Sequence, residues 1–394
     1  MARLRVILLI LTLCVGYMSS RAQGTIAGKI VSAVNKSGLS GASVFLNNAT
    51  LGTTTDNNGN FTLRNVRPGQ YQLVVSNVGF EEHMQTIMVN NTLLNLNNIE
   101  LLPKVTELRP VIITTNADWK KNYESFKKDF IGTSDNAKQC KVVNPRVVSL
   151  AYYGSKRLLE AYADEFLVVE NHALGYRVKY LIKDFKSDKI ANIISYQGKA
   201  LFEELPGSDV QKKKWKEKRD QAYYGSPQHF YRSLYANELT KSGFLVYDFT
   251  RDPNPQRPPD DVIQRKLKQF KGNADSTRFW ADKINLPKYT NEQLYRTPLQ
   301  ANQIAFSTEE PGIFAITAKS HLLYVIYTKR HEEADFRELY RPLDMENFET
   351  SVIKLYKKVA FFDMNGIIIS EAPLYEGTWS KAKLAELLPV DYMP

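Results

Sequence analysis

The sequence predicts two folds in succession: a small all-β sandwich, followed by an α+β domain with an antiparallel sheet. Residues 23–103 alternate apolar and polar side chains in short runs that are separated by turn residues, a pattern typical of an antiparallel sandwich. Residues 119–394 show strands, then helices, then strands, and this order favours an α+β domain. The length of the chain, 394 residues, also suggests more than one domain.

The first 22 residues predict a leader ahead of both folds. Two arginines stand before an apolar stretch over residues 6–15, and small residues lead up to Ala22. This pattern predicts a secretory signal peptide over residues 1–22 and an exported chain in the periplasm, at the outer membrane or at the cell surface. Cys14 follows Leu13, whereas lipidation requires a small residue before the cysteine, so we favour simple cleavage over a lipid anchor.

Charge and cysteine content exclude some classes of function. The chain has 52 basic and 42 acidic side chains, a net charge of +10. Without Arg3, Arg5 and Arg21 of the leader, 49 basic side chains face 42 acidic ones, which leaves +7. This diffuse excess does not indicate nucleic-acid binding. Cys140 is then the single cysteine, so we expect no intramolecular disulfide and no zinc site built on paired cysteines.

The sandwich segment carries a family pattern. Glycine, turn and aromatic residues recur in order at Gly28, over 38–44, over 52–61, over 69–73 and at 79–80. The series resembles the carboxypeptidase regulatory-like domain, which implies a seven-stranded prealbumin-like sandwich with a docking, folding or adhesion role. The resemblance implies no peptidase activity by itself. In Bacteroidota such modules often precede outer-membrane receptors and other envelope proteins.

Residues 104–118 are predicted to be a linker with a short strand. The stretch resembles the segment that follows this module in TonB-dependent receptors, so one hypothesis is an accessory to a TonB-dependent uptake system. The remainder resembles that of Bacteroidota proteins which carry the module ahead of a second domain. Among the residues that carry this second resemblance are Asn136-Ala137-Lys138-x-Cys140 and Tyr224-Gly225-Ser226-x-x-His229-Phe230.

The elements of the larger domain follow from periodicity and turn residues. Helices are predicted over 119–130, 211–222 and 227–239, and a last helix is predicted to start at Ser380. Prolines predict an extended loop over 251–259. Asn365-Gly366 predicts a hairpin turn within 359–369. The other predicted strands are 147–153, 158–162, 166–170, 176–182, 194–202, 304–317 and 321–328.

Ser226 and His229 are the candidate catalytic residues, because a turn delivers both to the start of a predicted helix. A Ser–His pair needs a third, orienting group and an oxyanion hole, and the sequence places neither. We therefore favour the structural interpretation, in which Ser226 caps the helix, Pro227 is its first residue and His229 packs or bonds locally.

Other catalytic patterns are incomplete. His331-Glu332 begins a zinc motif, but Asp335 replaces its second histidine. Ser-x-x-Lys occurs at Ser125 and Ser380 without its supporting motifs. The sequence therefore predicts no metal and no cofactor.

One basic run, Lys212-Lys213-Lys214-Trp215-Lys216, is a candidate contact for an anionic membrane surface. We favour a solvated helix face, since Glu217 interrupts the run. Cys140 is interpreted as structural rather than reactive.

The leading hypothesis is a non-catalytic envelope protein. In it the larger domain binds a protein or glycan partner, and the sandwich serves as a docking or folding module. The alternative is a hydrolase whose site lies within residues 119–394.

Overall fold

The computed structural model describes residues 23–104, 116–332 and 339–394, and the chain forms two compact units. Of the described residues, 23–45 and 52–104 belong to the first unit, and 46–51, 116–332 and 339–394 belong to the second. The predicted signal peptide over 1–22 and residues 105–115 of the predicted linker lie outside the described residues.

The strands of the first unit are β1 (Gly24–Ser32), β2 (Ser43–Leu46), β3 (Gly52–Thr54), β4 (Asn60–Val66), β5 (Gly69–Ser76), β6 (His83–Val89) and β7 (Leu93–Leu101). They form two sheets in the orders β4-β1-β7 and β3-β2-β5-β6. The predicted seven-stranded sandwich is therefore confirmed, with one difference: β1 pairs in parallel with β7. Inward side chains such as Ile26, Leu73 and Val75 are fully buried.

The second unit begins with a helix and a six-stranded sheet. Its elements are α1 (Asn116–Ile131), α2 (Asp135–Lys138), β8 (Cys140–Val142), β9 (Ser149–Tyr153), β10 (Leu158–Tyr162), β11 (Leu167–Asn171), β12 (Tyr176–Asp188) and β13 (Ile193–Glu204). The strand order is β8-β11-β12-β10-β9, with β13 paired to β12. Helix α1 buries Tyr123, Phe126 and Phe130, the face that its spacing predicts. Phe126 packs edge-on against Phe185 of β12.

A group of helices and two smaller sheets follow. The elements are α3 (Asp209–Tyr223), α4 (Pro227–Tyr235), α5 (Leu239–Ser242), β14 (Phe244–Pro253), α6 (Asp260–Gln269), α7 (Ala274–Asn285), β15 (Tyr289–Leu294), α8 (Ala301–Ile304), β16 (Ala305–Ser307), β17 (Ile313–Thr317), β18 (Leu322–His331), β19 (Phe348–Lys354), β20 (Val359–Asp363), β21 (Leu374–Gly377) and α9 (Thr378–Lys381). The sheet orders are β15-β14-β18-β19-β21 and β16-β17-β20. The predicted α+β class with antiparallel pairing is confirmed.

Several predicted boundaries are wrong. The predicted linker ends at residue 118, whereas α1 already begins at Asn116. Residue 147 belongs to a 3₁₀ turn that precedes β9. The loop over 251–259 was too long, because residues 251–253 still pair with β15. The helix predicted to reach Leu239 ends at Tyr235, because Asn237 adopts a left-handed φ of 57°.

Two predicted starts are also wrong. Ile304 ends the short helix α8 instead of starting a strand. Ser380 does not cap a last helix: it lies inside α9, where its hydroxyl donates to the carbonyl of Gly377 at 2.7 Å. The leucines beyond it occupy a 3₁₀ turn and an extended tail, because tertiary packing buries them without a continuous helix.

The C-terminal segment returns to the core of the six-stranded sheet. Leu384, Ala385, Leu388 and Tyr392 pack in the same apolar cluster as Phe126. Arg232 of α4 donates to the carbonyls of Val390 and Tyr392 and thereby holds the end of the chain in place.

In the part of the chain that the structure describes, no helix has both the length and the apolar character to cross a membrane.

Candidate functional site

The turn at Ser226 is a helix cap. Its backbone is extended, and its side-chain oxygen accepts a hydrogen bond from the backbone N–H of His229 at 3.1 Å. Pro227, the first residue of α4, has no N–H to satisfy. The capping interpretation of Ser226 is therefore confirmed.

The ring of His229 is buried and neutral. Its Nδ1 accepts a hydrogen bond from the backbone N–H of Gly225 at 3.1 Å, which places the ring hydrogen on Nε2. Four aromatic rings surround it with centroids 4.9–5.9 Å away: Tyr223, Tyr224, Phe244 and Tyr327. Burial, helped by the charges of Lys329, Arg232 and Arg330, lowers the pKa of His229 to about 4.

This geometry does not assemble a nucleophile and its base. A catalytic serine donates its hydroxyl proton to an imidazole nitrogen, while the other ring N–H is held by an orienting group. Here the oxygen of Ser226 bonds to the backbone of His229, and Nδ1 is occupied by Gly225. The pair therefore holds a turn together.

Two residues from distant parts of the chain also hold this turn, and the sequence patterns do not predict their contacts. Trp379 Nε1 donates to the carbonyl of Gly225 at 2.7 Å, and the guanidinium of Arg330 donates to the carbonyls of Gln221 and Tyr224. Gly225 has a φ of +84°, and a Cβ there would lie 2.7 Å from Arg330. Trp379 and Arg330 lie more than 100 positions after Gly225 along the chain, so no local sequence pattern predicts these contacts.

Cys140 is a structural cysteine in this geometry. Its side chain is buried, and its Sγ donates weakly to the carbonyl of Asn136 at 3.5 Å. Burial, followed by the charge of Glu386, raises the pKa of the thiol to about 12. The nucleophilic thiolate is therefore scarce at neutral pH.

The remaining catalytic patterns also have structural places. Ser125 lies within α1, and Ser380 bonds to the backbone inside α9. His331 ends β18, and its Nε2 lies 3.4 Å from a carboxylate oxygen of Glu346. Residues 333–335 of that motif lie outside the described residues. Within the described ranges, no group of three or more His, Cys, Asp or Glu side chains is placed to hold a metal ion.

The basic helix α3 is anchored on one side and solvated on the other. Trp215 is buried, and its Nε1 donates to the carbonyl of His172 at 2.9 Å. Lys216 pairs with Asp220 at 2.8 Å. Lys212, Lys213 and Lys214 are exposed. The helix thus presents lysine side chains to solvent, while Trp215 faces the interior.

The small sheet β16-β17-β20 has an apolar outer face. Phe306, Ala315 and Phe361 stand opposite one another on the three strands, and antiparallel register puts them on one face. Ile369 continues this row, since its N–H donates to the carbonyl of Phe361 at 2.9 Å. We call these four residues the aromatic row.

Three of the four residues of the aromatic row are exposed to solvent, whereas the opposite side of the sheet is core. Phe306 is 54% exposed, Phe361 36% and Ile369 37%, while Ala315 between the two phenylalanines is fully buried. On the other side, Phe362 and Ile316 are fully buried. From the spacing of strands, the Cα atoms of the two phenylalanines are about 10 Å apart. The row therefore presents an exposed apolar surface.

Comparison with known proteins finds a family model that matches the N-terminal region. Residues 26–113 match the model of the CarboxypepD_reg-like domain, which confirms the resemblance of the N-terminal module. A search of curated proteins found no match.

Solved structures resemble only parts of the chain. The group B streptococcus pilus 2b backbone protein shares 22% identity over 21% of this chain and 42% of its own, with a TM-score of 0.19. A C-terminal interface mutant of a type II cohesin–X-dockerin complex from Acetivibrio cellulolyticus shares 18% identity over 20% of this chain and 56% of its own, with a TM-score of 0.18. A mutant catechol 1,2-dioxygenase from Acinetobacter radioresistens shares 13% identity over 26% of this chain and 59% of its own, also with a TM-score of 0.18. The chain thus spans less than two thirds of each structure, and we base no functional conclusion on these likenesses.

Proposed function

We propose that this chain is a non-catalytic protein of the cell envelope that binds a protein or glycan partner through its second unit, with the sandwich as a docking or folding module. The observation that carries the proposal is the aromatic row, an apolar surface on a sheet whose other face is already packed. Exposed aromatic side chains are enriched where proteins bind partners, since they contribute large contact areas at low entropic cost.

The local setting supports binding rather than chemistry. Two polar side chains near residues of the row in the sequence bond to backbone: Asp363 of β20 accepts the backbone N–H groups of Asn365 and Ile367, and Ser370 accepts the N–H of Phe361. A rigid sheet presents the row with little freedom to lose on binding.

The test compares the wild type with a variant that carries both Phe306→Ser and Phe361→Ser. Binding is measured against an array of envelope glycans and against proteins recovered from envelope extracts. We expect the double change to weaken binding to the retained partner at least tenfold, since two hot-spot aromatic side chains are lost.

Tyr152→Ser is the control, because Tyr152 is about as exposed as Phe306 but lies on β9 of the six-stranded sheet, away from the aromatic row. Partners that are retained equally by the double variant would contradict the proposal. So would peptide hydrolysis by the wild type that His229→Ala abolishes while the fold is intact.

A further inference from the structure

A helical hairpin stands out from the packed body of the second unit. Helices α6 and α7 are inserted between β14 and β15, which pair directly with each other, so the sheet does not need the hairpin for its own continuity. The two helices pack against each other. Helix α7 has no buried residue over its 12 positions, and Ile263 is the buried residue of α6.

Apolar side chains on α7 face solvent. Phe279 is 54% exposed and Ile284 is 42% exposed. Trp280 meets Phe279 edge to face with ring centroids 5.4 Å apart. The ammonium of Lys283 lies 5.2 Å from the centroid of the Phe279 ring. An aromatic ring and a cation are thus presented side by side.

The charge of the hairpin is positive. Residues 260–288 contain seven basic and four acidic side chains. Two of the acids are already paired: Asp260 contacts Lys288 and also Arg257, which precedes the hairpin, and Asp261 contacts Arg265.

Two cations at the tip of the hairpin are available to an outside partner. Lys271 and Arg278 form no ion pair with the residues that the structure describes, and Arg278 lines an open depression of about 460 Å³ at the start of α7. The hairpin therefore complements a negatively charged surface rather than a neutral one.

The neighbouring turn between β9 and β10 has the same character. Lys268 of α6 reaches the carbonyl of Ser155 in this turn at 3.4 Å. Tyr153 is exposed there, with the ammonium of Lys156 5.9 Å from its ring centroid. Cations beside aromatic rings therefore continue from the hairpin onto the turn.

We propose that the α6–α7 hairpin docks on a bilayer surface that contains anionic lipid. At the boundary of a membrane, aromatic and aliphatic side chains enter the headgroup region while lysine and arginine bind anionic headgroups. Helix α3 lacks this combination because its tryptophan faces the core. The inference is independent of the aromatic row and goes beyond the proposed function.

The test measures co-sedimentation of the full chain, purified from its native cells, with vesicles of phosphatidylcholine alone or mixed equally with phosphatidylglycerol. At about 0.01 M salt, where electrostatic attraction reaches about 30 Å, we expect binding to the mixed vesicles only. Lys271→Ser together with Arg278→Ser should weaken it about 30-fold, since each cation near the surface contributes about fivefold.

The apolar contribution is tested separately. Phe279→Ser should weaken binding to the mixed vesicles at about 0.01 M salt, whereas Phe279→Leu should retain it, since an apolar side chain that enters the headgroup region adds to the attraction of the charges. Circular dichroism and thermal unfolding verify the fold of each variant.

The matched control changes the same charge on another helix: Lys213→Ser together with Lys214→Ser on α3 should leave binding nearly unchanged. Equal loss in this control, unchanged binding of Phe279→Ser, or binding to phosphatidylcholine alone would each overturn the proposal. Binding to soluble heparin but to neither vesicle would identify an acidic macromolecule as the partner and would also overturn it.

Discussion

At the scale of the residue, two buried titratable groups respond to pH in opposite directions. Burial lowers the pKa of His229 to about 4 from the ordinary 6.5, and burial raises the pKa of Asp363 to about 6 from 3.8. The fold therefore favours the neutral form of both. The contribution of His229 is complete above pH 6.5 and is lost as the pH falls through about 4. The contribution of Asp363 is complete below pH 3.8 and is lost as the pH rises through about 6.

We predict that substituting either group changes how the free energy of unfolding depends on pH, because the opposing contribution of the other group then remains alone. Relative to the wild type, His229→Gln should make the free energy of unfolding fall more, or rise less, between about pH 4 and pH 6. Asp363→Asn should change the slope the other way. Each change in slope is at most about 1.4 kcal/mol per pH unit, the value for one proton. Urea unfolding at several pH values measures the slope of the free energy of unfolding against pH. Slope changes of the same sign in the two variants would contradict the prediction.

At the scale of the element, the start of α4 depends on a single side-chain oxygen. Ser226 accepts from the N–H of His229, which would otherwise lack a partner at the helix terminus. The same serine was the candidate nucleophile, so its substitution separates a structural role from a chemical one.

We predict that Ser226→Ala lowers the free energy of unfolding by about 1 kcal/mol, and that Ser226→Asn lowers it by only a few tenths, because asparagine also caps well. Thermal and urea unfolding measure both variants. If the asparagine variant is as unstable as the alanine variant, the cap is not what holds Ser226 in place.

At the scale of the whole molecule, the C-terminal segment completes a core that begins about 260 residues earlier, at Phe126. Leu388 and Tyr392 pack with Phe126 and the strands of the six-stranded sheet. Arg232 holds the backbone of the same segment. The second unit therefore cannot be divided into an N-terminal and a C-terminal half without opening this core.

We predict that Leu388→Ala lowers the free energy of unfolding by about 3 kcal/mol, as large-to-small changes in a packed core do. Hydrogen exchange should become faster in β8–β13 and not only near residue 388, since the core is shared. Leu343→Ala is the control, because Leu343 is fully exposed. Faster exchange confined to the C-terminal residues would show that the segment is peripheral.

The sequence by itself determined what local physics controls. The sandwich, the buried face of α1, the cap at Ser226 and the Asn365–Gly366 turn were all predicted, because periodicity, capping and left-handed backbone act within a few residues. Only the tertiary structure decided which apolar surfaces are covered. Phe361 and Phe362 are neighbours in a strand that is apolar on both sides, yet one faces solvent and the other the core.

The same limit explains the other differences. The contacts of Trp379 with Gly225 and of Arg232 with the chain end join segments more than 150 residues apart, and the helix expected after Ser380 gave way to packing against a distant sheet. The free energy of such contacts depends on partners that a local pattern does not specify. The exposed residues that carry both proposals, Phe306 with Phe361 and Phe279 with Arg278, therefore emerged only once the chain had folded.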